Sequence, residues 1–501
     1  MRRVGLMRVA AVSAVVSLAF MSAAAPLAAA IPPPRVDPSM VPPDGTPGPE
    51  QPMRQSNVCA RTITVAEPNT ALPAPGFRML NIAKAWEYST GNGVSVAVID
   101  TGITPSARLR VVPGGDYITG GDGLSDCDAH GTIVGSLIAA APQGTPMPAP
   151  KPTRPAFPPP AGTVSGGSPS AAAAAPPAPL PAPPAAPDGV VGVAPHATVI
   201  SIRQSSRAFE PANPGPGDIE ARKKAGTVAT LARAIVHAAN LGAKVINVSV
   251  TACVSAADPL DQRAIGAAVW YAATVKDAVV VAAAGNEGED GCAPNPAFDP
   301  LNADDPRDWD QVKTVSSPAW FSDYVLSVGA VDNSGAPIDK SLAGPWLGTA
   351  APGVGITGLS PQTGGPANAY PPVRPGEPDI PFWGTSFSAA YVSGIAALVR
   401  ARYPQLSANQ VIHRIKQTAH NPPRGVDNQV GYGVIDPVAA LTFDVPPGER
   451  LAPGSLTRVI TPPAAAPPPD HRARTVALAF AGAVCAGVVL TAVIGRARRA
   501  R

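Results

Sequence analysis

An α/β domain built on a parallel sheet flanked by helices is what the sequence predicts, from three observations. Five short apolar, β-branched runs at 94–100, 197–203, 244–250, 278–284 and 324–331 have the character of strands buried on both faces. Helical patterns near 226–241, 260–276, 386–402 and 407–418 separate or follow them. The alternation is that of right-handed βαβ crossovers, and over 79–445 it describes one domain of about 300 residues once a long insertion is set aside. That insertion, 141–187, carries 17 prolines among alanines and reads as an extended surface segment within the domain.

The flanks have their own signatures. Arg2, Arg3 and Arg8 precede an apolar stretch ending in Ala28-Ala29-Ala30, the pattern of a signal peptide over 1–30. Residues 31–78 form an N-terminal extension, and 446–474 a Pro-rich linker. Residues 475–494 are uncharged and mostly apolar, long enough as a helix to cross a hydrocarbon core of roughly 30 Å. The basic tail 495–501 then belongs on the cytoplasmic side, leaving 31–474 outside the membrane.

Seven of the 38 basic residues lie in the signal peptide and tail, leaving 31 against 35 acidic residues between them, or about −4. No basic run suggests nucleic acid as a partner. Cys485 lies within the apolar span, whereas Cys59, Cys127, Cys253 and Cys292 lie in the exported part, where two disulfides are expected. Three pairings are open at this point. No C-x-x-C spacing occurs, and neither a metal nor a cofactor is expected.

In open α/β sheets, sites form beyond the carboxyl ends of the strands. Asp100 ends the first strand in VAVIDTGI, where it either opens a turn or takes part in chemistry. His130, in DAHGTIVGS, opens a small-residue helix beside a glycine that allows close approach of a ligand. The other histidines have less suitable settings: His196 precedes a strand, His237 lies inside a helix, His413 and His420 belong to the last helical region, and His471 is in the linker. Asn286 follows a buried strand in VVVAAAGNEG, and its amide either makes a turn or faces a developing oxyanion. Ser386, in GTSFSAAYVSG, is either a helix cap or a nucleophile.

Taken together and in this order, VAVIDTGI, HGTIVGS, AAAGNEG and GTSFSAA resemble the motifs of the subtilisin-like serine proteases, over about 79–445. The resemblance implies a subtilisin-like fold and a triad in which Asp100 orients His130, His130 takes the proton of Ser386, and Ser386 attacks a peptide carbonyl. It implies that Asn286 and the Ser386 backbone N–H hold the oxyanion, and that Ser386 is both cap-positioned and catalytic. Substrate backbone is expected near 247–251, with the specificity pocket between that segment and AAGNEG. Three positions depart from the family pattern: Ile133 replaces a second histidine, Ala390 a proline, and Thr251 a glycine, the last narrowing the cleft.

The wider architecture is similar to the mycosins, membrane-anchored proteases of mycobacterial type VII secretion systems. Membership implies a polypeptide substrate that is an exported protein, a catalytic domain on the periplasmic side, and association with a secretion membrane complex. The alternative implied role is a structural subunit of that complex with proteolysis secondary; a general degradative protease fits the anchor poorly. With that fold in view the expected disulfides are Cys59–Cys127, strapping the extension beside the active-site rim, and Cys253–Cys292, bracing the pocket walls.

Overall fold

The computed structural model describes residues 31–151, 187–213, 225–257, 261–289, 291–297, 307–423, 425–454 and 472–499. The signal peptide over 1–30, most of the insertion and most of the linker lie outside the described residues. Two units are distinguished: Met1–Ser455, and Leu456–Arg501.

The first unit is organised by a seven-stranded sheet: β1 Ser95–Asp100, β2 Val111–Asp116, β3 Thr198–Arg203, β4 Val245–Val248, β5 Val279–Ala283, β6 Val325–Val331 and β7 Thr349–Pro352. In space the order is β7-β6-β5-β4-β1-β3-β2, and every neighbouring pair is parallel. The five sequence-predicted strands occupy the centre. The edge strands β2 and β7 escaped prediction because VVPGGD and TAAP carry proline, glycine and alanine, which strands disfavour; pairing with an existing edge, not intrinsic preference, makes them strands.

Alternation along β1 divides the core in two. Val96 and Val98 point into one cluster with α1 (His130–Ala139) and the long helix α4 (Thr385–Arg402). Ala97 and Ile99 point into the other, with α2 (Val228–Asn240) and α3 (Arg263–Trp270). With both faces covered, each fully buried Val or Ile contributes roughly 1.5–3 kcal/mol from burial. The helix α5 (Ala408–Gln417) opens with reciprocal bonds between Ser407 and Gln410, a capping box.

The chain runs from β1 to β2 and β3 on one side of β1, then returns to place β4 on its other side. That reversal opens a crevice at the carboxyl end of β1, where Asp100 stands.

The extension lies along the first unit as a strap. Met53–Gln55 pairs antiparallel with Phe209–Pro211, Ile63 bridges Ala369, and the Asn368 side chain bonds Val65 and Pro68. The core begins before residue 79, since Ala74 and Phe77 are already buried in it. The insertion leaves and rejoins the domain beside a buried, bidentate Arg108–Asp188 pair at 2.7 and 2.9 Å. At the start of the Pro-rich segment, the carbonyls of Gly448, Glu449 and Arg450 accept from side chains at the start of α5 and just before it.

In the second unit, one helix, Arg472–Arg499, contains a segment, Ala477–Arg496, long and apolar enough to cross a membrane.

Candidate active site

Asp100, His130, Asn286 and Ser386 come from four separate elements that converge on the crevice. Asp100 is the last residue of β1 and is fully buried. Its Oδ1 accepts from the Thr101 backbone N–H and lies 2.7 Å from His130 Nδ1. This contact fixes Nδ1 as the protonated nitrogen and leaves Nε2 free to accept a proton. His130 is the first residue of α1, preceded by Ala129 in the left-handed region at φ 65°, and its ring packs on Phe387 at 5.2 Å between centroids. Burial alone disfavours the imidazolium, but the charge and hydrogen bond of Asp100 and the charge of Asp126 together hold the His130 pKa above its ordinary value.

Ser386 answers the question its sequence setting raised. The cap of α4 is Gly384, at φ 136°, and no side chain caps the helix; Ser386 lies one residue inside the first turn. The expected dual role as cap is therefore corrected, because the sharp turn at Gly384 starts the helix earlier. The Ser386 hydroxyl donates to the Ser249 carbonyl at 2.9 Å, a different acceptor from the imidazole that the resemblance implies. In resting enzymes such bonds are often unaligned, and rotation about one side-chain bond redirects a serine hydroxyl.

Asn286 is oriented by α4. Its Oδ1 accepts from both the backbone N–H and the hydroxyl of Thr385, each at 3.1 Å, which turns the amide N–H₂ the other way. That N–H₂ donates to Glu289 at 3.2 Å, and Glu289 lies 3.8 Å from Arg207 across the rim. A side chain at Gly384 would sit 3.2 Å from this amide nitrogen, so glycine there keeps the approach clear.

The disulfides are Cys59–Cys127 and Cys253–Cys292. The first ties the strap to the loop before α1. The second joins Ala252–Ser255, a strand paired with Thr314–Ser317, to the loop beyond Asn286. Among the described residues, no group of three or more His, Cys, Asp or Glu side chains could hold a metal ion.

Sequence reasoning missed several residues of the site. Ser249, Thr385 and Phe387 orient the groups above, and Asp126 and Thr101 lie behind Asp100. Burial pushes the Asp126 carboxyl up to about 7 against the hydrogen bonds of Thr132 and Thr101, which pull the other way. The only signal for Asp126 was its position four residues before His130, too common to stand out.

Comparison with known proteins points one way. Residues 91–433 match the subtilase family of peptidases. Mycosin-2 of Mycobacterium tuberculosis is 62% identical over 99% of this chain and 98% of its own. The crystal structure of MycP1 from Mycobacterium smegmatis superposes with a TM-score of 0.72 at 43% identity, covering 86% of this chain and all of that one. A chain in the structure of an intact ESX-5 inner membrane complex is 47% identical, with a TM-score of 0.71, over 93% of this chain and 100% of that one.

Proposed function

The chain belongs to the subtilase family, and from that premise we propose that it is a mycosin-type serine endopeptidase, held by its C-terminal helix, that cleaves exported polypeptides outside the cytoplasmic membrane within a type VII secretion complex. The observation that carries the chemistry is the 2.7 Å contact of His130 Nδ1 with Asp100 in a crevice that also holds Ser386 and Asn286. Place in a secretion complex is supported by likeness to the ESX-5 chain.

In the proposed reaction Ser386 Oγ bonds to the scissile carbonyl carbon while its proton passes to His130 Nε2. The carbonyl electron pair moves onto oxygen, where the Asn286 amide and the Ser386 backbone N–H at the positive end of α4 stabilise it. Collapse expels the amine, which takes the proton from His130, and water repeats the sequence on the acyl-enzyme. Buried Asp100 keeps the imidazole in the correct tautomer and stabilises its cation.

Ser386→Ala is the test. It is expected to abolish both cleavage of exported proteins and labelling by a fluorophosphonate, with little change in melting temperature because Ser386 is not the cap. Labelling that survives in the variant would place the nucleophile elsewhere. The match to a chain of an intact membrane complex also favours a second reading, a mainly structural subunit. Secretion that is lost on deleting the chain but kept in Ser386→Ala would select that reading.

A further inference from the structure

A second carboxylate lies directly behind the Asp100–His130 pair. Asp126 belongs to the loop before α1, is 7% exposed, and uses both of its oxygens. Oδ1 accepts from the Thr101 hydroxyl at 2.8 Å and the Asp128 N–H at 3.1 Å. Oδ2 accepts from the Thr132 N–H at 2.8 Å and its hydroxyl at 2.6 Å. The two hydroxyls extend the network: Thr101 Oγ1 accepts from the Gly131 N–H at 2.9 Å, and Thr132 Oγ1 from the Thr104 N–H at 3.1 Å.

The consequence is geometric. Thr101 follows Asp100, whereas Gly131 and Thr132 follow His130, so one carboxylate fastens the end of β1 to the first turn of α1. The loop just before α1 makes two further attachments. Cys127 carries the bond to the strap, and Asp128 accepts from the Ser206 hydroxyl and the Arg207 N–H on the loop after β3. Because a displacement of about 1 Å in a reacting group costs on the order of 100-fold in rate, a tie at this point bears directly on catalysis.

Resting on the triad proposed above, we propose that Asp126 is a positioning residue, which sets the register of Asp100 against His130 through Thr101 and Thr132. The charged and titratable groups about the pair are Asp100, Asp126 and Arg207, which act on His130, and Tyr370, on which Asp126, Asp100, Asp128 and Arg207 act. Asp126 raises the His130 pKa, and Arg207 lowers it. The neutral imidazole is the active base, so activity falls as pH drops through the His130 pKa. In the wild type this acid limb lies above the ordinary imidazole value of about 6.5, held there first by Asp100; the Asp126 carboxyl, itself pushed up to about 7, gains its charge over the same range, so its loss moves the limb to lower pH by only part of that shift.

The experiment compares second-order rates of fluorophosphonate labelling against pH for the full chain in detergent, together with the NMR titration of the His130 ring. Asp126→Asn is expected to label about 10- to 100-fold more slowly at its optimum, with the acid midpoint and the ring titration both displaced to lower pH. Thr101→Val, which cuts the link to Gly131 while leaving Asp126 in place, is expected to be about tenfold slower, and Thr101→Ser to recover most of that loss. Wild-type rate and midpoint in Asp126→Asn would overturn the proposal; should that variant not fold, Thr101→Val labelling at the wild-type rate would do so. If wild-type protein fails to label at all, the protease reading falls, and an unmoved ring titration in Asp126→Asn would separately refute the role of Asp126.

Discussion

Asn286 shows how a side chain acquires a direction. Its carbonyl oxygen is spent on Thr385, so in the proposed reaction the N–H₂ is the group that faces the oxyanion, and in this structure it donates to Glu289. Asn286→Ala is expected to lower kcat by about 100- to 1000-fold with little change in KM, because the donor acts on charge present only in the transition state. Equal kcat in the variant, measured where chemistry limits the rate, would remove the amide from that role. The four residues of the proposed site each stand in a local motif that the sequence displays; the partners that aim them, Ser249, Thr385 and Asp126, do not, since they lie on segments whose proximity is created by folding.

At the scale of elements, the decisive contact is between the first turn of α1 and the loop after β1. A Cβ on Gly131 would lie 2.1 Å from the Gly102 carbonyl oxygen, a backbone atom that cannot step aside without moving the end of β1. Gly131→Ala is therefore expected to separate His130 from Asp100, reducing fluorophosphonate labelling severely and destabilising the fold by about 1–3 kcal/mol as overpacking does. Wild-type labelling and thermal stability in this variant would show that the two elements have slack. The glycine after His130 was noticed in the sequence as a place of close approach; the structure shows that the approaching group is the chain's own backbone.

At the scale of the whole molecule, the strap is fixed by more than Cys59–Cys127. Asp44 bonds His237 and Asn240, Glu50 bonds Thr227 and Arg233, and Thr62 bonds Ser360. The disulfide closes a loop with a sequence separation of 68, for which chain entropy gives about 4 kcal/mol. Cys59→Ser with Cys127→Ser is expected to lower Tm by about 5–10 °C while amides of residues 60–65 stay protected in hydrogen exchange. Loss of that protection would show that the covalent bond alone holds the strap.

The sequence alone determined the buried strands, the helices that cover them, the apolar terminal span and the order of the chemically competent residues. These properties are local: they follow from periodicity and from residue types in short windows. It gave no sign of the two edge strands, since those depend on a neighbouring edge to pair with. Only the tertiary structure decided that Gly384 and not a hydroxyl starts α4, that the Ser386 hydroxyl rests on Ser249, and that Asp126 joins β1 to α1. The physical reason is that hydrogen bonds between distant segments are chosen by the whole packed arrangement, where a buried polar group must find whichever partner the fold brings within reach.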